Sequence, residues 1–464
     1  MRGFPTKPLL LQKETDMQLP EEFILRTKTL LGDEWNAFEQ SLQEDIPVSI
    51  RLNPEKPAGI SYPEEVSWAS NAYYLPERPV FTLDPLFHAG GYYVQEASSM
   101  YLEQIVKNRF EEPITALDLC AAPGGKSTHL TSLLPDKSLL VANEVISSRS
   151  RILAENLTKW GSPYTIISNN DPKELGVLFH RFDLILADVP CSGEGMFRKD
   201  PAAIDEWSLN NVRLCAERQR RIIADIWPAL KPEGILVYST CTYNREENED
   251  NIAWVCKELG AEIIDSPHRF FPHKTKGEGF FITMLQKTGN EEINEGRNRN
   301  VGTKQFSASN RKNQNIDSDS IPSGFNHIKQ WLKNPEAFVF YTDSFRIKAF
   351  PRTHREIYSE IQSHLRVISS GILLGEIKGK DLIPQQSLAL STALSESAFP
   401  CWEVDEKTAL YYLHKDAFSS LPSDLPKGFI LLTCRKIPIG FIKNIGNRAN
   451  NLYPAEWRIK MNVS

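Results

Sequence analysis

The chain's 464 residues are enough for two or three domains, and a hydrophobic content of 41% is ordinary for a soluble globular protein. A formal net charge of −6 excludes a wholly basic nucleic-acid coat, so any contact with RNA or DNA has to come from a local patch. The seven cysteines, at 120, 191, 215, 241, 256, 401 and 434, are odd in number and form no C-x-x-C pair, which argues for free thiols and against a disulfide framework or structural zinc. No apolar run approaches the ~18 residues of a membrane helix, so a cytoplasmic protein that stays off membranes is expected.

The first ninety residues predict a small α+β module. Residues 19–31 form a helix with Phe23, Leu30 and Leu31 near one face, and 48–52 alternate like a half-buried strand stopped by Asn53-Pro54. Arg51 is expected on the solvated face of that strand, with a phosphate contact as the alternative. The aromatic-rich stretch 68–81 is expected to pack onto the next domain, and the module carries no chemistry of its own.

From 91 to 288 strand and helix alternate, which predicts a doubly wound, Rossmann-like α/β sheet. Its strand candidates are 114–119, 139–143, 164–168, 182–187, 235–239, 261–264 and 280–285. In such sheets ligands bind beyond the carboxyl ends of the strands, beside the point where strand order reverses. The residues after each strand are therefore the informative ones.

After the first strand stand Cys120, Ala121, Ala122, Pro123, Gly124, Gly125 and Lys126, followed by a helical pattern. A strand that empties into a Gly-Gly turn and a helix offers free N–H groups and a positive helix end to a nucleotide-sized ligand. Two readings are open. The stretch misses the phosphate-binding pattern G-x-x-x-x-G-K-[ST] by one residue, since Cys120 replaces the first glycine, so a P-loop-like ATPase or nucleotide-binding protein is the alternative. The other reading is an S-adenosylmethionine turn. After the second strand, Glu144 suits a ribose diol, because two hydroxyl donors want an acceptor-only partner. After the third, Asp171 lies in a turn signal and is a candidate acceptor for an adenine amino group.

Asp188 and Cys191 follow the fourth strand and Cys241 the fifth, so two cysteines face the same crevice as the ligand. A lone cysteine is more often inert, and Cys215 and Cys256, inside helical patterns, take that reading. The paired cysteines suit methylation of a carbon such as cytosine C5, which is too poor a nucleophile until a thiolate adds to the neighbouring C6. That route needs a nucleophilic cysteine, an acidic group near N3, and a way to remove the C5 proton and expel the sulfur. The P-loop reading leaves both cysteines unexplained, although 184–188 would pass for a strand ending in a magnesium-binding Asp.

The run Asp118-Leu119-Cys120-Ala121-Ala122-Pro123-Gly124-Gly125-Lys126, then Asp188-Val189-Pro190-Cys191-Ser192-Gly193, then Ser239-Thr240-Cys241-Thr242-Tyr243 resembles three motifs, in order, of the RNA cytosine-C5 methyltransferases of the Nop2/Sun type. Arg269-Phe270-Phe271-Pro272-His273 and Gly277-Glu278-Gly279-Phe280-Phe281 are similar to the close of that catalytic domain. Arg51-Leu52-Asn53-Pro54 and the late segments Gly440-Phe441-Ile442-Lys443 and Asn451-Leu452-Tyr453-Pro454 resemble the small-subunit ribosomal RNA methyltransferase F branch, whose members end in a PUA-like RNA-binding domain.

The resemblance implies formation of 5-methylcytosine in RNA, most naturally 16S ribosomal RNA, with S-adenosylmethionine as donor. It implies Cys241 as nucleophile, Cys191 as the residue that assists product release, and donor contacts from Cys120 to Lys126, Glu144, Asp171 and Asp188. It also implies an RNA-binding N-terminal module at 1–90 and, as partner, ribosomal RNA or the assembling small subunit; a monomer without a metal is expected.

Residues 289–323, rich in Asn, Ser, Gly and charge, predict a flexible linker, and 324–464 a separate, mainly β region with strands near 338–341, 371–375 and 428–433. Its last forty residues hold Lys427, Arg435, Lys436, Lys443, Arg448, Arg458 and Lys460 against one carboxylate, Glu456. This is the best candidate for a phosphate-contacting surface. Phe441, Tyr453 and Trp457 among those charges are expected to fill a small core.

Overall fold

A computed structural model describes residues 17–289, 320–418 and 421–462. The N-terminal helices Glu21–Leu31 and Trp35–Ser41 bury Phe23, Trp35 and Phe38 in a shared core with Phe197, Trp207, Tyr243 and Phe271 of the following domain. They cover the catalytic domain and have no core of their own. Behind them β1 (Val48–Leu52), β2 (Glu64–Glu65), β3 (Ala72–Leu75) and β4 (Tyr92–Val94) form a sheet in the order β2-β3-β1-β4. The fourth strand lies past residue 90, so the module runs further than its composition suggests.

Arg51 does not sit on a solvated face. It is 2% exposed on a central strand, donates from Nε to Gln95 Oε1 and from Nη2 to Thr128 Oγ1, and stacks on Trp160. A strand covered on both faces buries its polar positions too, which alternation alone does not reveal. The aromatic stretch behaves as expected: Trp68 lies against Phe270, and the Tyr74 hydroxyl donates to the Lys276 carbonyl.

The central strands are β5 (Thr115–Asp118), β6 (Leu139–Asn143), β7 (Thr165–Ser168), β8 (Phe182–Asp188), β9 (Leu230–Thr240), β10 (Ala261–Phe270) and β11 (Phe280–Lys287). Alternate residues face two cores. Leu117, Leu139, Val141 and Ile185 lie on one side, and Ala116, Leu140, Leu184 and Leu186 on the other. Both faces being covered, the strands read as continuous apolar runs.

The C-terminal region contributes β12 (Phe338–Asp343), β13 (Arg346–Pro351), β14 (Val367–Ser370), β15 (Ile372–Lys378) and β16 (Asp381–Pro384), then β17 (Cys401–Glu403), β18 (Gly428–Cys434), β19 (Ile437–Asn444) and β20 (Ala449–Asn451). It is not separate. β14 pairs antiparallel with β7, so the central sheet has eight strands in the order β10-β11-β9-β8-β5-β6-β7-β14. The added strand covers the edge that β7 would otherwise present. Strands β12, β13, β15 and β16 form one further sheet and β17 to β20 another, which shares a core with Ile50, Leu86 and Tyr92 of the N-terminal module. Of the expected linker, 290–319 lie outside the described residues. Ser320 is hydrogen-bonded to Phe340 and Thr342 of β12 and so belongs to the C-terminal sheet.

Strand order runs β5-β6-β7 in one direction and β5-β8-β9 in the other. The switch point therefore lies at the carboxyl ends of β5 and β8, and a crevice must open there.

Candidate active site

β5 delivers Asp118 to that point, and the chain turns through Cys120 to Gly124 into the helix Gly125–Leu133. Gly124 has φ 116°, a left-handed conformation that side-chain-bearing residues rarely adopt. Asp118 is 1% exposed; its Oδ2 accepts from Ser127 Oγ at 2.6 Å, while Oδ1 is buried without a partner. Burial, reinforced by the charges of Asp188 and Glu144, pushes this carboxyl up to about 7 against the pull of Ser127 and Lys126. Sequence reasoning passed over Asp118 as a ligand-facing group, although its place at a strand end was the signal.

Two further carboxylates, Asp188 and Glu144, lie near enough for their charges to act on Asp118, and a third, Asp171, follows β7. Asp188, at the end of β8, accepts from Ser239 Oγ at 2.7 Å and lies 2.9 Å from Lys126 Nζ. Glu144 follows β6, is buried, accepts from the Ile146 amide at 2.9 Å, and has Arg149 Nη1 at 3.6 Å. Asp171 caps the short helix Pro172–Leu175, with Oδ1 accepting from the Lys173 amide. Its turn role is thus real, and it leaves the carboxylate partly exposed beside β7. Cys120 lies in the turn itself, and burial pushes its thiol far above the usual range.

This donor set fits a cationic ligand with hydroxyl and amino groups, since one buried oxygen of Asp118 has no partner among the described residues and Glu144 and Asp171 meet their nearest arginines, Arg149 and Arg221, only at 3.6 Å. S-adenosylmethionine, a sulfonium with a ribose and an adenine, has those features. A polyphosphate would meet the same carboxylates as like charges, and here Lys126 is engaged by Asp188 and Ser127 by Asp118.

β8 and β9 run parallel with Asp188 opposite Ser239, which places the loops that follow side by side. Cys191 Sγ and Cys241 Sγ stand 2.9 Å apart, and the Cys241 amide lies 3.3 Å from Cys191 Sγ. The hydrogen bond with Cys241, then burial, then the charges of Cys241 and Glu247 hold the Cys191 thiol well above its usual range, so it keeps its proton. Cys256 lies in the helix Glu249–Leu259, whereas Cys215, buried in the helix Leu209–Ile226, is near enough to Glu247 and Cys241 that their charges add to burial in raising its thiol.

Sequence reasoning missed the carboxylates that hold these loops, Glu194 and Glu247. Only the glycines flanking Glu194 and the second strand-end loop around Glu247 hinted at them. In the basic tail, Lys443 is bound by Asp381 at 2.7 Å and Arg435 by Glu406. Lys427, Lys436, Arg448, Arg458 and Lys460 remain exposed. Phe441 and Tyr453 are core residues as expected, and Trp457 is partly buried with Lys159 over its ring.

Family models match three successive parts of the chain: the N-terminal domain of 16S rRNA methyltransferase RsmF at 19–97, 16S rRNA methyltransferase RsmB/F at 105–286, and the RsmF PUA domain at 399–459. The chain is 30% identical to ribosomal RNA small subunit methyltransferase F of Pectobacterium atrosepticum over 485 residues, covering 96% of this chain and 97% of that protein. It is 31% identical to the Aliivibrio salmonicida protein of the same name, over 79% of each. Among solved structures, a methyltransferase homolog protein from Pyrococcus horikoshii superposes with a TM-score of 0.51 at 27% identity, over 58% of this chain and 96% of that one. NSun6 from Pyrococcus horikoshii with SFG gives 0.50 at 22% identity, over 59% and 99%, a likeness of fold. Because the near-full-length relative and the three models follow the order of the sheets described above, the chain belongs to the ribosomal RNA small subunit methyltransferase F family, with S-adenosylmethionine as its cofactor.

Proposed function

We propose that this methyltransferase of ribosomal RNA forms 5-methylcytosine, with Cys241 bonding transiently to C6 of the target base. The observation that supports this most strongly is the contact of two thiols at 2.9 Å, at the ends of adjacent strands and beside Asp188. Methylation of a ring nitrogen or a ribose hydroxyl needs no thiol, whereas C5 needs a nucleophile at C6 to become enamine-like.

Cys241 is assigned the attack. Cys191 keeps its proton and donates to the neighbouring sulfur, which stabilises an anionic Cys241 before attack and again as it leaves. The C5 proton passes to a solvent base, its electron pair returns to the C5–C6 bond, and Cys241 leaves as the thiolate that Cys191 hydrogen-bonds. Asp188 is assigned to the N3 edge, held in place by Ser239 and Lys126. S-adenosylmethionine supplies the methyl group. We assign its contacts to Cys120 through Lys126, with Glu144 toward the ribose, Asp171 toward the adenine, and Asp118 and Asp188 lining the crevice. The target base has to leave its stack to reach both thiols, which favours single-stranded or loosened RNA.

Bisulfite sequencing of small-subunit ribosomal RNA from cells with and without the protein tests the product. A cytosine protected from conversion only when the protein is present is expected. Uniform conversion, in rRNA that nevertheless takes up labelled methyl groups from the donor, contradicts the reading.

A further inference from the structure

We propose that Glu194 and Glu247, with Asn244 between them, are positioning residues that hold the two cysteine loops so that the sulfurs stand in contact. The proposal rests on the two-cysteine reading above.

The two carboxylates are crossed. Glu194 belongs to the Cys191 loop but grips the Cys241 loop: its Oε2 accepts from Thr242 Oγ1 at 2.7 Å, the Tyr243 amide at 2.8 Å and the Asn244 amide at 2.9 Å, and its Oε1 from Trp207 Nε1 at 3.0 Å. Glu247 belongs to the Cys241 side but grips the Cys191 loop. Its Oε2 accepts from the Ser192 amide at 3.0 Å and Gln219 Nε2 at 2.7 Å, and its Oε1 from Ser192 Oγ and, at 2.7 Å, from Asn244 Nδ2. The gripped residues, Ser192 and Thr242, directly follow the two cysteines.

Each carboxylate thus meets four donors, a set that only an acceptor-only group satisfies. Glu194 is 3% and Glu247 0% exposed, and neither pairs with a cation among the described residues. Burying two uncompensated carboxylates is expensive, and a neutral or apolar contact would join two loops as firmly. What the carboxylates add is a fixed direction for every donor around them.

Asn244 completes the lock. Ser192 Oγ spends its proton on Glu247 and Thr242 Oγ1 spends its own on Glu194, so these oxygens, 3.0 Å apart, have none left to share. Asn244 Nδ2, with one proton on Glu247 Oε1, has a second to share between Thr242 Oγ1 at 2.9 Å and Ser192 Oγ at 3.3 Å. The Glu247 charge is also among the causes that keep the Cys191 thiol protonated.

The test compares the full-length protein with Glu247→Gln, whose amide turns an N–H₂ toward donors, and with Asn244→Ala, a smaller change should the first fail to fold. Misplacing a reacting group by about 1 Å costs on the order of 10²-fold in rate. Turnover should therefore fall by about that factor while the calorimetric affinity for S-adenosylmethionine stays within about twofold. Phenylarsine oxide, which bridges two thiols only when they lie side by side, should bind the variants at least about tenfold more weakly than wild type, since the spacing it needs is what the lock supplies. Wild-type turnover and arsenical affinity overturn the proposal, as does loss of donor binding in step with turnover, which would mark general support of the fold. Cys241→Ala is assayed alongside. If it methylates at the wild-type rate the two-cysteine reading fails; if it is inactive while the lock variants behave as wild type, only the lock fails.

Discussion

Asp118 shows how much of this site is set by a single buried side chain. In the free protein its carboxyl titrates near 7, because burial and the charges of Asp188 and Glu144 oppose ionisation more than Ser127 and Lys126 favour it. A sulfonium donor favours the ionised form. Below that pKa, binding should release a proton, and donor affinity should rise by up to about tenfold per pH unit and level off above it. Calorimetry in buffers of different ionisation enthalpy measures this uptake or release. In Asp118→Asn the pH dependence should flatten, and an unchanged slope would take Asp118 out of the donor site. Residue roles of this kind were legible in part. The strand-end rule picks out Glu144, Asp171, Asp188 and both cysteines as candidates, and the structure does place them at or just after the ends of β6, β7, β8 and β9, because a continuous apolar run followed by a polar residue marks where a buried parallel strand surfaces. Arg51 is misread because alternation cannot tell solvent from a second buried layer, and Glu194 goes unassigned because its meaning lies in donors brought by another loop.

Among the elements, the helix Ser147–Trp160 shows how the outer parts of the chain are fastened to the central sheet. The last carbonyls of a helix have no partner within it. Here Asn53 Nδ2 donates to the Trp160 carbonyl and Lys56 Nζ to that of Lys159, both from the N-terminal module. The helix stops at Gly161, with φ 94°, where the C-terminal region arrives: Thr392 donates its amide to the Gly161 carbonyl. A Cβ on Gly161 would lie 2.2 Å from the Leu390 carbonyl oxygen. Gly161→Ala should therefore lose about 2 kcal/mol or more of stability, combining the left-handed backbone with a backbone collision. Denaturant unfolding reads this directly; a loss below about 0.5 kcal/mol, the range of a neutral surface change, would show that the two regions are not fastened there. Strand positions were legible in sequence, 139–143 to the residue, because both faces are apolar. β14 was not. Its Val-Ile-Ser-Ser run is short and half polar, and its partner β7 lies some two hundred positions earlier in the chain, a pairing that no local pattern encodes.

For the molecule as a whole, the three parts suggested by composition are one interlocked body, with the C-terminal chain completing the central sheet and the last sheet packed on the N-terminal one. The basic tail illustrates what composition conveys and what it omits: the excess of cations was countable, but not that Asp381 and Glu406 claim two of them. The central claim, that one sulfur attacks RNA and its neighbour is needed for release, is tested most directly on a denaturing gel after incubation with RNA and S-adenosylmethionine. Cys191→Ala should give a slowly migrating protein–RNA band that is absent from Cys241→Ala and from the double variant. A shifted band in Cys241→Ala alone would reverse the two roles and contradict the account.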